Sequence, residues 1–280
     1  MPTMESHGSP GFLLDAPSIP AYSDAMTRSI LILGGTADAR ILAGKLAEDS
    51  GYRLLLSMAG RTRDPVPQPV PMRTGGFGGA SGLAAFITEN QFDLLVDATH
   101  PYAARISANA IEAARLAKIP LVTLERPAWE KQPDDDWQSV ADVESAVAAL
   151  GAESTNAFLA LGRQELLPFE AAPQHHYLIR SVDPVEPPLN IVHARYITAR
   201  GPFALNDEMT LLRDNRIAFI VSKNSGGTAA YAKIEAARRL GITVLMIERP
   251  ALSRTANVPT VDAALAAIRH QLSLLDERGE

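Results

Sequence analysis

The segment Ile111–Ala128, IEAARLAKIPLVTLERPA, returns as Ile234–Ala251, IEAARRLGITVLMIERPA, with ten of 18 positions identical at a constant offset of 123 residues. An alanine-rich helix could match another by chance, but the following strand and Glu-Arg-Pro-Ala would not come with it. The chain therefore reads as two similar units. Weaker matches flank the block: Leu31–Gly34 resembles Leu159–Gly162, and Val143–Leu150 resembles Val261–Ile268. The period is too long, and the copies too few, for a solenoid. The expected division is an N-terminal unit at 29–150 and a C-terminal unit at 151–280, meeting within 129–155. The acidic run Asp134–Asp136 in that stretch reads as a solvated turn.

Each unit alternates short apolar strands with helical periodicity. Ser29–Leu33 is a strand, and Ala39, Leu42, Ala43 and Leu46 then recur at helical spacing. Strands follow at Tyr52–Met58, Val70–Thr74, Asp93–Ala98 and Pro120–Leu124, with helices at about Ser81–Glu89 and Ala103–Ala117. Such alternation predicts an α/β fold of two Rossmann-like units, each a parallel sheet covered on both faces, with a cleft between them.

Composition narrows the chemistry. The chain has no cysteine, which excludes disulfides, thiolate metal sites and cysteine nucleophiles. Its net charge of −6 gives no basic footprint for nucleic acid or an anionic membrane. No apolar run reaches the roughly 18 residues of a membrane span. Residues 1–28, rich in proline, glycine and serine, lack the pattern of a secretory signal and read as a flexible extension, so a cytoplasmic location is expected. No HExxH, Walker A or GxSxG pattern is present, and His175-His176 are adjacent rather than four apart, so no metal site is expected.

Ligands of open parallel sheets bind beyond the carboxyl ends of the strands. That rule selects five loops: Gly34–Asp38, Ala59–Arg63, Gly75–Gly79, Thr99–Tyr102 and Ser222–Thr228. In the first, Gly34, Gly35 and Thr36 lack GxGxxG spacing; they serve a tight turn or offer free amides to a phosphate. After the second strand come Gly60, Arg61 and Thr62, where NAD-selective enzymes place an acid. Arginine beside a hydroxyl suits the 2′-phosphate of NADPH, with Arg63 the next candidate and a plain surface pair the alternative. Gly76, Phe77 and Gly78 allow close backbone approach to something flat or anionic, or form a flexible loop. Thr99, His100 and Tyr102 place a hydroxyl, an imidazole and a phenol at one strand end. The repeat sets Ser222-Lys223 opposite Thr99-His100, and Lys223, Asn224, Ser225, Gly226 and Gly227 then open a helix as an anion site or merely its cap.

The motifs LILGGTADAR, SMAGRT, TGGFGG, VDATHPYAARIS, LERPAW, RGPF and SKNSGG, in order from Leu31 to Ala251, resemble the precorrin-6A reductase family of cobalamin biosynthesis. DATHPYA and SKNSGG together are specific, and the N-terminal extension lies outside the pattern. The resemblance implies two Rossmann-like domains with NADPH between them. It also implies reduction of the C18=C19 double bond of precorrin-6A, or of its cobalt-containing counterpart in the anaerobic pathway. Such a hydride transfer needs no metal, cysteine or covalent nucleophile. Arg105, Arg200 and Lys223 are candidates for the carboxylates of the tetrapyrrole substrate, and His100, Tyr102, Lys223 or water for the proton donor. Two rivals stand beside this reading. One is a non-catalytic two-lobed binder of an anionic small molecule; the other, a small-ketone reductase, lacks its usual Tyr-x-x-x-Lys pair here. The sequence is silent on oligomeric state, and a monomer is compatible with it.

Overall fold

The computed structural model describes residues 27–60, 66–251 and 257–278. The first unit runs β1 (Arg28–Leu33), α1 (Ala37–Ala47), β2 (Tyr52–Met58), β3 (Met72–Thr74), α2 (Ala80–Glu89), β4 (Leu94–Asp97), α3 (Ala104–Ala117), β5 (Leu121–Leu124), β6 (Trp137–Val140) and α4 (Val143–Ala149). The second runs β7 (Asn156–Ala160), two 3-10 turns (Arg163–Glu165 and Leu167–Ala171), β8 (His176–Ser181), β9 (Ala194–Thr198), α5 (Leu205–Asp214), β10 (Phe219–Lys223), α6 (Ala232–Leu240), β11 (Thr243–Ile247), β12 (Asn257–Val258) and α7 (Val261–Arg278). The two orders match element for element, except that the 3-10 turns stand where the first unit has α1.

Two six-stranded sheets result, ordered β12-β5-β4-β1-β2-β3 and β6-β11-β10-β7-β8-β9, with every pairing parallel. Helices cover both faces, so central strands such as β4 are buried along their whole length and read as continuous apolar runs. In the first sheet, α1 and α7 pack on one face, through Leu42, Leu46, Ile268 and Leu272. On the other, α2 and α3 bury Leu83, Ile87, Ala110 and Ala113. In the second sheet, Phe169 and Ala146 lie on one face and Leu212, Ile234 and Ala237 on the other.

The sheets do not part at residue 150. β6 pairs with β11, so β6 and α4 of the first unit complete the second sheet. Reciprocally, β12 pairs with β5, and α7 packs against α1. The units expected at 29–150 and 151–280 thus exchange their last strand and helix. The resemblance of Val143–Leu150 to Val261–Ile268 marks these two exchanged helices. Glu-Arg-Pro-Ala, at the ends of β5 and β11, is where the chain leaves one sheet for the other. The acidic run is not simply a solvated turn: Asp135 is buried, accepts from the Gln132 backbone N–H at 2.7 Å and pairs with the Arg238 Nε at 2.8 Å. No helix among the described residues is long and apolar enough to cross a membrane.

Candidate active site

In the first sheet the strand order reverses between β1 and β4, which opens a crevice at their carboxyl ends. Thr36 ties its two sides together. Its Oγ1 donates to the Ala98 carbonyl at 2.9 Å and accepts from the Ala39 N–H at 3.1 Å, capping α1. The N–H groups of Ala37 and Asp38 lie in the first turn, where an α-helix supplies no carbonyl partner. A pocket of about 110 Å³ lies here between Gly34–Gly35, Met58–Gly60, Thr74, Thr99–His100 and the α3 start at Ala103 and Ile106. It has room for part of a dinucleotide. Gly34, Gly35, Gly60, Thr99 and His100 thus line one pocket, beside Thr36. Arg61 and Thr62 lie outside the described residues.

The glycine-rich loop after β3 is held by Arg73. Its guanidinium donates to Ser57 Oγ at 2.8 Å and the Gly75 carbonyl at 3.0 Å, and stacks 4.0 Å from the Phe77 ring centroid. Phe77 packs in turn against Phe86, centroids 5.1 Å apart. Its ring anchors the loop to the core, leaving the backbone of Gly76 and Gly78 at the surface. Gly82 fixes the loop from below, because a Cβ there would stand 1.7 Å from the Phe77 carbonyl oxygen.

The loop after β4 faces the second sheet. Asp97 accepts from the Thr99 N–H at 3.1 Å and its hydroxyl at 2.6 Å, forming a tight turn. His100 Nδ1 accepts from the Tyr102 N–H at 3.3 Å, so the neutral imidazole carries its proton on Nε2, which lies 3.2 Å from Ser225 Oγ. Tyr102 spans the two sheets: its hydroxyl accepts from the Asn224 N–H at 2.8 Å and donates to the Ile247 carbonyl. Burial pushes this phenol up to about 12.

Thr99–Tyr102 and Asn224–Gly227 therefore share one seam, but not in the expected register. Asp97 pairs with Thr123 and Ser222 with Met246, positions related by the repeat. Ser222 thus occupies the place of Asp97, and Lys223 that of Ala98. The second loop is two residues shorter. The Lys223 ammonium is paired with Glu165 and lies 4.9 Å from the Tyr102 ring centroid, so it is neutralised rather than presented as a lone cation. Asn224 Oδ1 accepts from the Trp129 N–H at 2.7 Å, and Trp129 Nε1 donates to the Gly227 carbonyl at 2.6 Å. Gly226, at φ +69°, leaves only 2.1 Å between a would-be Cβ and the Pro127 oxygen. The loop is clamped by the chain crossover, and α6 begins only at Ala232. Arg105, in the first turn of α3, and Arg200, just beyond β9, are exposed at strand ends.

Sequence reasoning passed over several residues of this seam. Arg126 Nε donates to the Ser225 carbonyl at 2.7 Å and its Nη1 to Asp38 at 2.7 Å. Arg249 Nε donates to the Asn224 carbonyl at 2.8 Å. Both belong to the repeated Glu-Arg-Pro-Ala, which marked the duplication and could have marked the seam.

The family model described as precorrin-6x reductase CbiJ/CobK matches residues 29–269. The precorrin-6A reductase of Sinorhizobium sp is 57% identical over 247 residues, 87% of this chain and 94% of that protein. That of Rhodobacter capsulatus is 49% identical, over 81% of this chain and 90% of its own length. The cobalt-precorrin-6A reductase of Priestia megaterium is 27% identical, over 86% of this chain and 98% of its own. A solved structure of CobK precorrin-6A reductase superposes with a TM-score of 0.84 at 44% identity, covering 88% of this chain and 97% of that one.

Proposed function

Since the chain belongs to the precorrin-6x reductase family, we propose that it reduces the C18=C19 double bond of precorrin-6A with NADPH, giving precorrin-6B in cobalamin biosynthesis. The observation that carries this reading is the family match across both sheets, joined to a crevice at the strand-order reversal of the first. Identity of 57% to a precorrin-6A reductase, against 27% to a cobalt-precorrin-6A reductase, favours the metal-free substrate.

The residues present suit a nicotinamide dinucleotide. The first-turn amides of α1 and the open backbone of Gly34–Gly35 suit its pyrophosphate. Gly60 and its neighbours Arg61 and Thr62 are assigned the adenine ribose and 2′-phosphate. Bound there, NADPH supplies the hydride. The chain's own contribution is to orient, exclude water and position a proton. Tyr102 directs its hydroxyl proton to Ile247, and Lys223 is paired with Glu165, which leaves His100 Nε2 and solvent as proton sources. Arg105 and Arg200 are assigned to substrate carboxylates. The protein acts in the cytoplasm.

The test is an anaerobic assay with precorrin-6A and nicotinamide-deuterated NADPH. NADPH should be consumed only with substrate present, the label appearing at C19 and a solvent hydrogen at C18. Tight NADPH binding with no label on any macrocycle carbon would overturn the reductase reading in favour of a binding protein.

A further inference from the structure

The two repeated arginines at the sheet crossovers have diverged in what they hold. Arg249 directs Nε to the Asn224 carbonyl and Nη1 to the Arg126 carbonyl at 2.9 Å, so it braces the crossover itself. Arg126 instead joins the two sheets: Nη1 meets Asp38 in the first turn of α1, in its own sheet, while Nε holds the Ser225 carbonyl of the second. Among the described residues these two contacts leave Nη2 without a hydrogen bond, with the side chain 20% exposed. The difference follows an asymmetry between the units. Only the first has a long helix after its leading strand; in the second a 3-10 turn stands there.

Asp38 poses an electrostatic problem for the proposed nucleotide. A carboxylate in the first turn is favoured by the helix itself, but it repels a phosphate brought to the same end. Arg126 resolves this by neutralising Asp38 while keeping one N–H edge for the incoming oxygens, in the forked geometry that suits phosphate. We propose that Arg126 is a binding residue for the cofactor pyrophosphate. This rests on the nucleotide reading above.

The experiment compares NADPH with 2′-AMP, which has the 2′-phosphate but no pyrophosphate, by fluorescence titration and competition. Arg126→Met should weaken NADPH about 10- to 100-fold, the range of a hydrogen bond to a charged group, and leave 2′-AMP within about twofold. Asp38→Asn should tighten NADPH severalfold, because it removes the repulsion and frees the guanidinium. A merely structural ion pair would make both variants lose affinity for both ligands, and that result overturns the assignment. NADPH bound equally by wild type and Arg126→Met overturns the assignment alone. Wild type that binds neither ligand overturns the nucleotide reading and the assignment with it.

Discussion

Replacing Lys233 by methionine tests the electrostatics beneath the seam. Lys233 lies in α6, 4% exposed, with its ammonium donating to the Ala230 carbonyl at 2.8 Å and 4.9 Å from the Trp129 ring centroid. The charged groups facing it are Arg180 and Glu208, themselves a buried ion pair. Burial, then the like charge of Arg180, pushes the amine down from 10.5 to about 7, against a smaller opposing pull from Glu208. Well below pH 7 folded and unfolded chains both hold the proton, and the folded state bears the full penalty of the buried ammonium. Between about pH 7 and 10.5 the folded chain releases the proton while the unfolded chain keeps it, so stability rises with pH at about 1.4 kcal/mol per unit. From pH 7 to pH 9 this contribution amounts to about 2–3 kcal/mol. Methionine does not titrate, so the stability of Lys233→Met relative to wild type should fall by that amount over the same interval. The difference is read from urea unfolding followed by tryptophan fluorescence at both pH values; titrations common to the two proteins cancel. A gap constant to within about 0.5 kcal/mol would refute the reasoning, because the resolution of such extrapolations is of that order.

Tyr102→Phe removes both hydrogen bonds of the hydroxyl between the sheets and should cost about 1–3 kcal/mol by urea unfolding. The pH profile of kcat should keep its shape; a lost limb would restore the phenol as proton donor. Gly82→Ala forces the Phe77 carbonyl away from α2, and should lower stability by about 1–3 kcal/mol and raise KM for NADPH. Wild-type values of both would show that the glycine-rich loop is not braced by that helix.

Much of this architecture is written locally. Apolar runs such as Leu94–Val96 and the helical spacing of Ala39, Leu42 and Leu46 signal elements whose burial follows from their own residues. The strand-end loops are equally legible, because a parallel sheet brings Gly34, Gly60 and Thr99 to one edge whatever their identity. Sheet membership is not local. Trp137–Val140 carries nothing that says it will pair with β11 rather than continue beside β5, whose outer edge β12 takes instead. The roles of Tyr102 and Lys223 were likewise hidden, since a phenol or an ammonium looks available until its partner, Ile247 or Glu165, arrives from a distant strand. Arg126 escapes notice for the opposite reason: its motif is prominent as a repeat, and only the path of the crossover brings it to Asp38 and Ser225.

The exchanged strand and helix set an order on synthesis. A ribosome delivers β1 through β5 early, yet the outer neighbour of β5 and the helix packed on α1 come from residues 257–278, more than 130 residues after β5. Until these arrive, the edge of β5 and the apolar face of α1 that meets Ile268 and Leu272 stay uncovered, and an open strand edge invites pairing with other chains. The second sheet has no such wait, because β6 and α4 precede the rest of it. Although it is made later, the second sheet can close first, and the first sheet is completed only when α7 has left the exit tunnel.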